Sequence, residues 1–251
     1  MKSRDIPQAL AATLLLTVAL SAQTQVASRY DDQIQTAVTQ KLAAKNEFSN
    51  VKSSVEDGIV TLTGTVDLYQ RKLDAAKLAR KAANATGVRN LITVDGAIVP
   101  DAQLEQKLAT KLRYVRSGYD NTFDYFALGV KDGVVTVEGA DRTGVGRDEA
   151  MFDIATMPGV KDVVNNVSVE PVSIFDDRLR LRAVRAIYRD PVLSRYAMDP
   201  AKPIRIIVEN GHVTLYGSVA TTMDKQVAGI RAGQLPGAFS VDNKLVVDGK
   251  S

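Results

Sequence analysis

A single histidine, His212, and no cysteine stand among the 251 residues. That scarcity removes disulfides, thiolate catalysis, cysteine-ligated zinc and the ordinary serine triad. His212 has no second imidazole or thiol with which to share a metal, and it reads as a surface or edge-strand residue. Two carboxylate pairs, Asp31-Asp32 and Asp176-Asp177, have the composition of an acid/base couple. Each opens a predicted helix, where negative charge meets the positive end of the helix dipole, so capping is the expected role. Gly144-Val145-Gly146 follows a strand and precedes a helix, as a dinucleotide fingerprint does, but Glu149 holds the place of the third glycine. A pyrophosphate there would meet a carboxylate. No catalytic residue, metal ligand or cofactor is expected.

Charge and aromatic patterning offer a different chemistry. Arg178, Arg182, Arg185 and Arg189 follow i, i+4, i+7 and i+11, one narrow stripe at 100° per residue, beside a face of Leu179, Ala183, Ala186 and Ile187. Such a stripe engages lipid phosphates or acidic protein, or else forms a solvated face. Tyr114, Tyr119, Phe123, Tyr125 and Phe126 crowd another stretch, where they form a binding surface, with Tyr119, Phe123 and Phe126 as contacts, or an aromatic-packed loop. Stripe and cluster lie apart, and the net charge is only +3, so nucleic acid is not an expected partner.

The elements that must position these residues are written three times. Asp57-Gly58-Ile59-Val60-Thr61-Leu62-Thr63-Gly64 recurs as Asp132 to Gly139 and again as Asn210 to Gly217. Asp-Gly and Asn-Gly between alternating β-branched runs signal a type I′ hairpin turn. The hairpins are Val51 to Glu56 with Ile59 to Thr63, Ala127 to Lys131 with Val134 to Glu138, and Ile204 to Glu209 with His212 to Tyr216. Ile34, Val38 and Leu42 mark a helix before the first hairpin, and Leu104, Leu108 and Leu112 one before the second; Ser28 with Asp31, and Asp101, are their expected caps.

A second helix follows each hairpin, clearest over Tyr69 to Ala85 with Gly87 as its C′ residue. It is expected to be a turn shorter in the later copies, and in the middle one to be interrupted by Gly144 and Gly146. Third strands run over Val88 to Val94, Val160 to Val169 and Phe239 to Val247. The fold class is therefore α+β, three tandem αββαβ modules, each with two helices packed on a small three-stranded sheet. Gly64, Gly139 and Gly217 stand where the second strand gives way to the helix and are read as structural glycines. Asp190-Pro191 and Asp199-Pro200 mark a loop anchored by Tyr188 and Tyr196.

Ahead of the modules, Lys2 and Arg4, the apolar run Ala9 to Leu20, then Ser21 and Ala22 form the pattern of a secretory signal peptide over 1–22. The modules then occupy 23–100, 101–172 and 173–251, joined near Pro100 and Pro171 and expected to fold separately. Their net charges are +2, −4 and +4. Modules two and three can therefore dock by charge, within a chain or through self-association.

The repeats resemble BON domains, the module named for bacterial osmotically inducible and nodulation proteins. The resemblance rests on strand, Asp/Asn-Gly, Val-Thr-Leu, Gly, an alanine-rich helix, then Gly-Val and a Val-rich strand, best in Gly58 to Val66 with Gly87-Val88. The middle copy departs, with Ala140-Asp141 after its glycine. The resemblance implies a periplasmic, exported, non-enzymatic envelope protein that binds phospholipid surfaces and maintains the envelope under osmotic stress. The expected partners are an anionic phospholipid membrane surface, met through the arginine helix, or other envelope proteins, met as a scaffold or chaperone using sheet edges and the aromatic loop. An enzyme with a site of unfamiliar type is the third class.

Overall fold

The computed structural model describes residues 30–82, 85–115, 122–198 and 203–249. The segment read as a signal peptide, Ser28 and Tyr119 lie outside them. The chain divides into two compact units, residues 1–97 and 98–251, with the first repeat in one and the other two in the second.

In the first unit, helix α1 covers residues 30–43, and a 3-10 turn, Asn46–Phe48, leads into the hairpin β1 (Val51–Glu56) and β2 (Ile59–Val66). Asp57 and Gly58 both take positive φ, 51° and 76°, as a type I′ turn requires. Helix α2 (Tyr69–Arg80) then carries the chain across to β3 (Gly87–Asn90) and β4 (Thr93–Val94), both parallel to β2. The sheet order is β1-β2-β3, with β2 central. The core joins Ile34, Val38 and Leu42 to Val60, Leu62 and Ile92. Ala75, Ala76 and Ala79 are buried on α2, and their small side chains let the helix backbone lie close to the sheet.

The second unit repeats the plan twice. Helix α3 (Asp101–Val115) packs on β5 (Tyr125–Lys131), and the crossover helix α4 (Gly144–Ala155) packs on β6 (Val134–Asp141) and β7 (Asp162–Val169). Helix α5 (Ile174–Tyr188) leads through the short α6 (Arg195–Met198) to β8 (Arg205–Glu209) and β9 (His212–Tyr216). After β10 (Ser218–Val219) and α7 (Thr222–Gly233) come β11 (Ser240–Asn243) and β12 (Val246–Val247). The orders are β5-β6-β7 and β11-β9-β8, and β10 pairs β12.

Several local expectations are corrected. The three crossover helices are each 12 residues long, so the extra residues of the first repeat fall after α2. Gly87 opens a strand instead of closing a helix. Gly144 and Gly146 occupy the first turn of α4, which Thr143 caps by accepting the Gly146 N–H at 2.9 Å. The third strands break at an asparagine in the first and third repeats. Asn90 and Asn243 accept the N–H of Ile92 and Leu245 and donate to the α2 and α7 carbonyls of Lys72 and Lys225, at 2.8 and 2.7 Å. Asn165 accepts the Val167 N–H in the same way.

Gly64, Gly139 and Gly217 have φ of +110°, +138° and +118°. A Cβ there would lie 2.0, 1.9 and 2.8 Å from the carbonyl oxygens of Asn50, Tyr125 and Pro203, so the entering chain passes where a side chain would be.

Within the second unit, one aromatic of the second repeat is buried in the core of the third. Phe123, just before β5, is 2% exposed and packs with Leu179, Ile187, Ile206 and Leu215 in the core of the third repeat. Tyr125 stacks on Tyr216 with ring centroids 3.9 Å apart, and Arg205 donates to the Asp124 carbonyl at 2.7 Å.

Candidate functional site: an arginine helix with an aromatic edge

Helix α5 is fixed at both ends by its own sequence. Ser173 caps its start by accepting the Asp176 N–H at 3.2 Å, and the Asp176 carboxylate leaves the helix to accept the N–H groups of Asn210 and Gly211 at 3.0 and 2.8 Å. Asp31 and Asp101 hold the turns at Asp57-Gly58 and Asp132-Gly133 in the same way. The first aspartate of each expected pair is therefore a turn clamp, which corrects the capping assignment. Asp177 instead accepts from Arg180 at 2.7 Å. At the far end, the Tyr188 hydroxyl donates to the Ile204 carbonyl at 2.6 Å. Tyr196 bonds to Asp224 at 2.8 Å and accepts the Ala220 N–H at 2.8 Å, so both tyrosines anchor the loop.

Leu179, Ala183 and Ile187 are buried beneath α5, which turns the arginine stripe outward. Arg178 and Arg185 are exposed, as is Arg189, which is the C-cap residue. These three make no hydrogen bond or ion pair among the described residues. Arg182 is half-buried and donates to the Pro236 carbonyl. Arg182, Arg185 and Arg189 line a groove of about 450 Å³ closed by Arg231, Leu235 and Pro236. Arg178 is outside it. Arg231 is neutralised by Asp190, at 2.7 Å from Nε to Oδ2. That bond, and the Val192 N–H, hold the Asp190 carboxyl below its usual range. The partial negative charge of the α5 C-terminus also favours Arg185 and Arg189.

Phe175 lies three residues before Arg178 and seven before Arg182, on the border between the stripe and the buried face. It is 43% exposed and stacks on Phe239, 73% exposed, at 6.1 Å between centroids. This pair escaped the sequence reading because its members are 64 residues apart. The exposure of Phe175 at a helix start, off the regular apolar face, was the signal available. His212 meets Phe239 edge-on at 6.2 Å and hydrogen-bonds Ser240 through Nδ1 at 2.6 Å. It is exposed at the start of the central strand. No group of three or more candidate metal ligands occurs among the described residues.

The other expected site residues are dispersed. Phe123 is core, so it cannot be a partner contact, and Arg142 lies over its ring at 5.5 Å. Phe126 is half-buried within β5, opposite Gly139. Phe123 and Tyr125 join the second repeat to the third. At Gly144-Val145-Gly146, the Asp141 carboxylate lies within 2.7 Å of where a Cβ on Gly146 would be, and it occupies the approach a pyrophosphate would need.

The same joint hides an ion pair. Arg180 is buried and bonds to Glu170, at the end of β7, and to the Val208 carbonyl at 2.6 Å. Burial pushes the Glu170 carboxyl up to about 7, against the opposing pull of Arg180.

No curated protein matches the chain. Among solved structures it is similar to CdsD, a structural protein of the type III secretion system of Chlamydia trachomatis, at 12% identity over 86% of this chain and 90% of that one, with a TM-score of 0.24. It is also similar to the periplasmic domain of PrgH, a type III secretion inner membrane protein from S. typhimurium, at 10% identity over 84% and 100% of the two chains, with a TM-score of 0.18. The BON domain family matches at residues 30–96, 100–171 and 188–249, most of the chain. With its clamped hairpins, crossover helices and third strands repeated three times, the chain belongs to the BON domain family, as three tandem copies.

Proposed function

We propose that the chain is a non-enzymatic, exported envelope protein of the periplasm that associates peripherally with anionic phospholipid surfaces and maintains the envelope under osmotic stress. Family membership supports the envelope setting. The observation that carries the lipid reading is the continuity of Arg178, Arg182 and Arg185 with the exposed Phe175–Phe239 stack. Interfacial binding needs both parts: cations for the headgroups and apolar rings for the acyl boundary. Guanidinium groups match phosphate oxygens in a bidentate geometry.

Vesicle flotation tests it. Wild-type protein should float with anionic vesicles and not with neutral ones. Replacing Arg178, Arg182, Arg185 and Arg189 by Gln nearly preserves helix propensity and should abolish flotation, as should raising salt to ~1 M, where the Debye length is ~3 Å. Equal flotation of the two proteins would reject the arginine mechanism.

A further inference from the structure

We infer that the exposed face of α4 docks into the arginine groove of a second copy of the chain, head to tail. Val145, Asp148, Glu149 and Phe152 fall at i, i+3, i+4 and i+7, one face of the helix. Val145 is 69% exposed and Phe152 56%, large apolar groups left in water beside two carboxylates. The helix is already packed through Ala150, Ile154 and Ala155, so this face has no role in the core of its own repeat. Glu149 makes no hydrogen bond or ion pair among the described residues, while Asp148 is shared with its neighbour Arg147 at 2.8 Å.

The groove at the ends of α5 and α7 has the opposite chemistry. Arg185 and Arg189 stand unpaired on one wall, and Ala186, Leu235 and Pro236 give it apolar surface that can receive the Phe152 ring. Repeat net charges of −4 and +4 act in the same sense over a longer range. Both surfaces are open within one chain, so their meeting is between chains. Because the two surfaces differ, the contact is heterologous and propagates unless a ring closes. One helix face in one groove is a small interface, and the association is correspondingly transient. It shares Arg185 and Arg189 with the vesicle reading but does not use Phe175 or Phe239.

Sedimentation velocity of the purified chain without lipid tests this. Wild-type protein should show concentration-dependent growth of the sedimentation coefficient at ~0.1 M salt, weakened about tenfold or more at ~1 M. Two variants, Asp148→Asn/Glu149→Gln/Phe152→Ser and Arg185→Gln/Arg189→Gln, should each be monomeric with unchanged circular dichroism. Mixed in equal amounts, they should form a dimer and nothing larger, because one intact face and one intact groove remain. Phe175→Ser/Phe239→Ser should lose flotation and keep self-association, which separates failure of this contact from failure of vesicle binding. A wild-type chain that stays monomeric throughout, or variants that associate as the wild type does, would overturn it.

Discussion

The carboxylate of Asp176, in the first turn of α5, accepts the backbone N–H of Gly211 at 2.8 Å and so fixes a helix to the tip of a hairpin 35 residues away. The bond recurs from Asp31 to Gly58 and from Asp101 to Gly133, at 2.8 and 3.0 Å. An I′ turn points its amides outward, and an ionised oxygen pair is their strongest available acceptor.

Removing the clamp should therefore destabilise more than losing the ion pair of the neighbouring aspartate. Asp176→Ala strips two charge-assisted bonds and leaves the Gly211 N–H buried, a loss of about 2–4 kcal/mol. Asp177→Ala, one residue on, should cost less than about 1 kcal/mol, since that carboxylate is half exposed. Urea denaturation of the two variants should give this order.

The glycines at the strand ends should separate by clash. Gly139→Ala places a Cβ 1.9 Å from the Tyr125 oxygen and should destabilise by about 3 kcal/mol or more. In Gly217→Ala the nearest oxygen is 2.8 Å away and the loss should be smaller. Thermal melts of the pair would contradict this if Gly217→Ala were the worse.

Phe123 links its own repeat to the next. A fragment of residues 101–251 should melt in one cooperative transition, and Phe123→Ala should lower its stability by about 3–5 kcal/mol, as for a large aromatic lost from a core. A fragment of 173–251 alone lacks that ring and should melt at a lower temperature. Calorimetry of the fragments checks both statements.

Glu170 predicts the sign of a pH effect. Its folded pKa of about 7 stands above the ordinary 4.5, so between those values the native state keeps a proton that the unfolded chain has released. Stability from this group is complete below about pH 4.5, falls as pH rises through the window by on the order of 3 kcal/mol, and is level above it. Glu170→Gln should remove that slope. Denaturation of the second unit at pH 5 and pH 8 measures it, and identical slopes in both proteins would refute the assignment.

What the sequence determined by itself is the local and periodic part. Asp57-Gly58, Asp132-Gly133 and Asn210-Gly211 announce their hairpins because only a few residues tolerate two consecutive positive φ angles, and the leucines of α3 announce a helix by their spacing. The arginine stripe of α5 was legible for the same reason. Tertiary structure alone decided which chemistry those elements expose. Asp31 and Asp176 look like helix caps until the hairpin tip is brought beside them. Phe123 looks like a surface aromatic until the core of the third repeat closes over it, and Phe175 finds Phe239 only through the packing of α5 against the loop before β11. Turns and helices are set by dihedral preference within a few residues. Burial and pairing across 30 to 80 residues depend on where the sheets lie, and no periodicity in the chain records that.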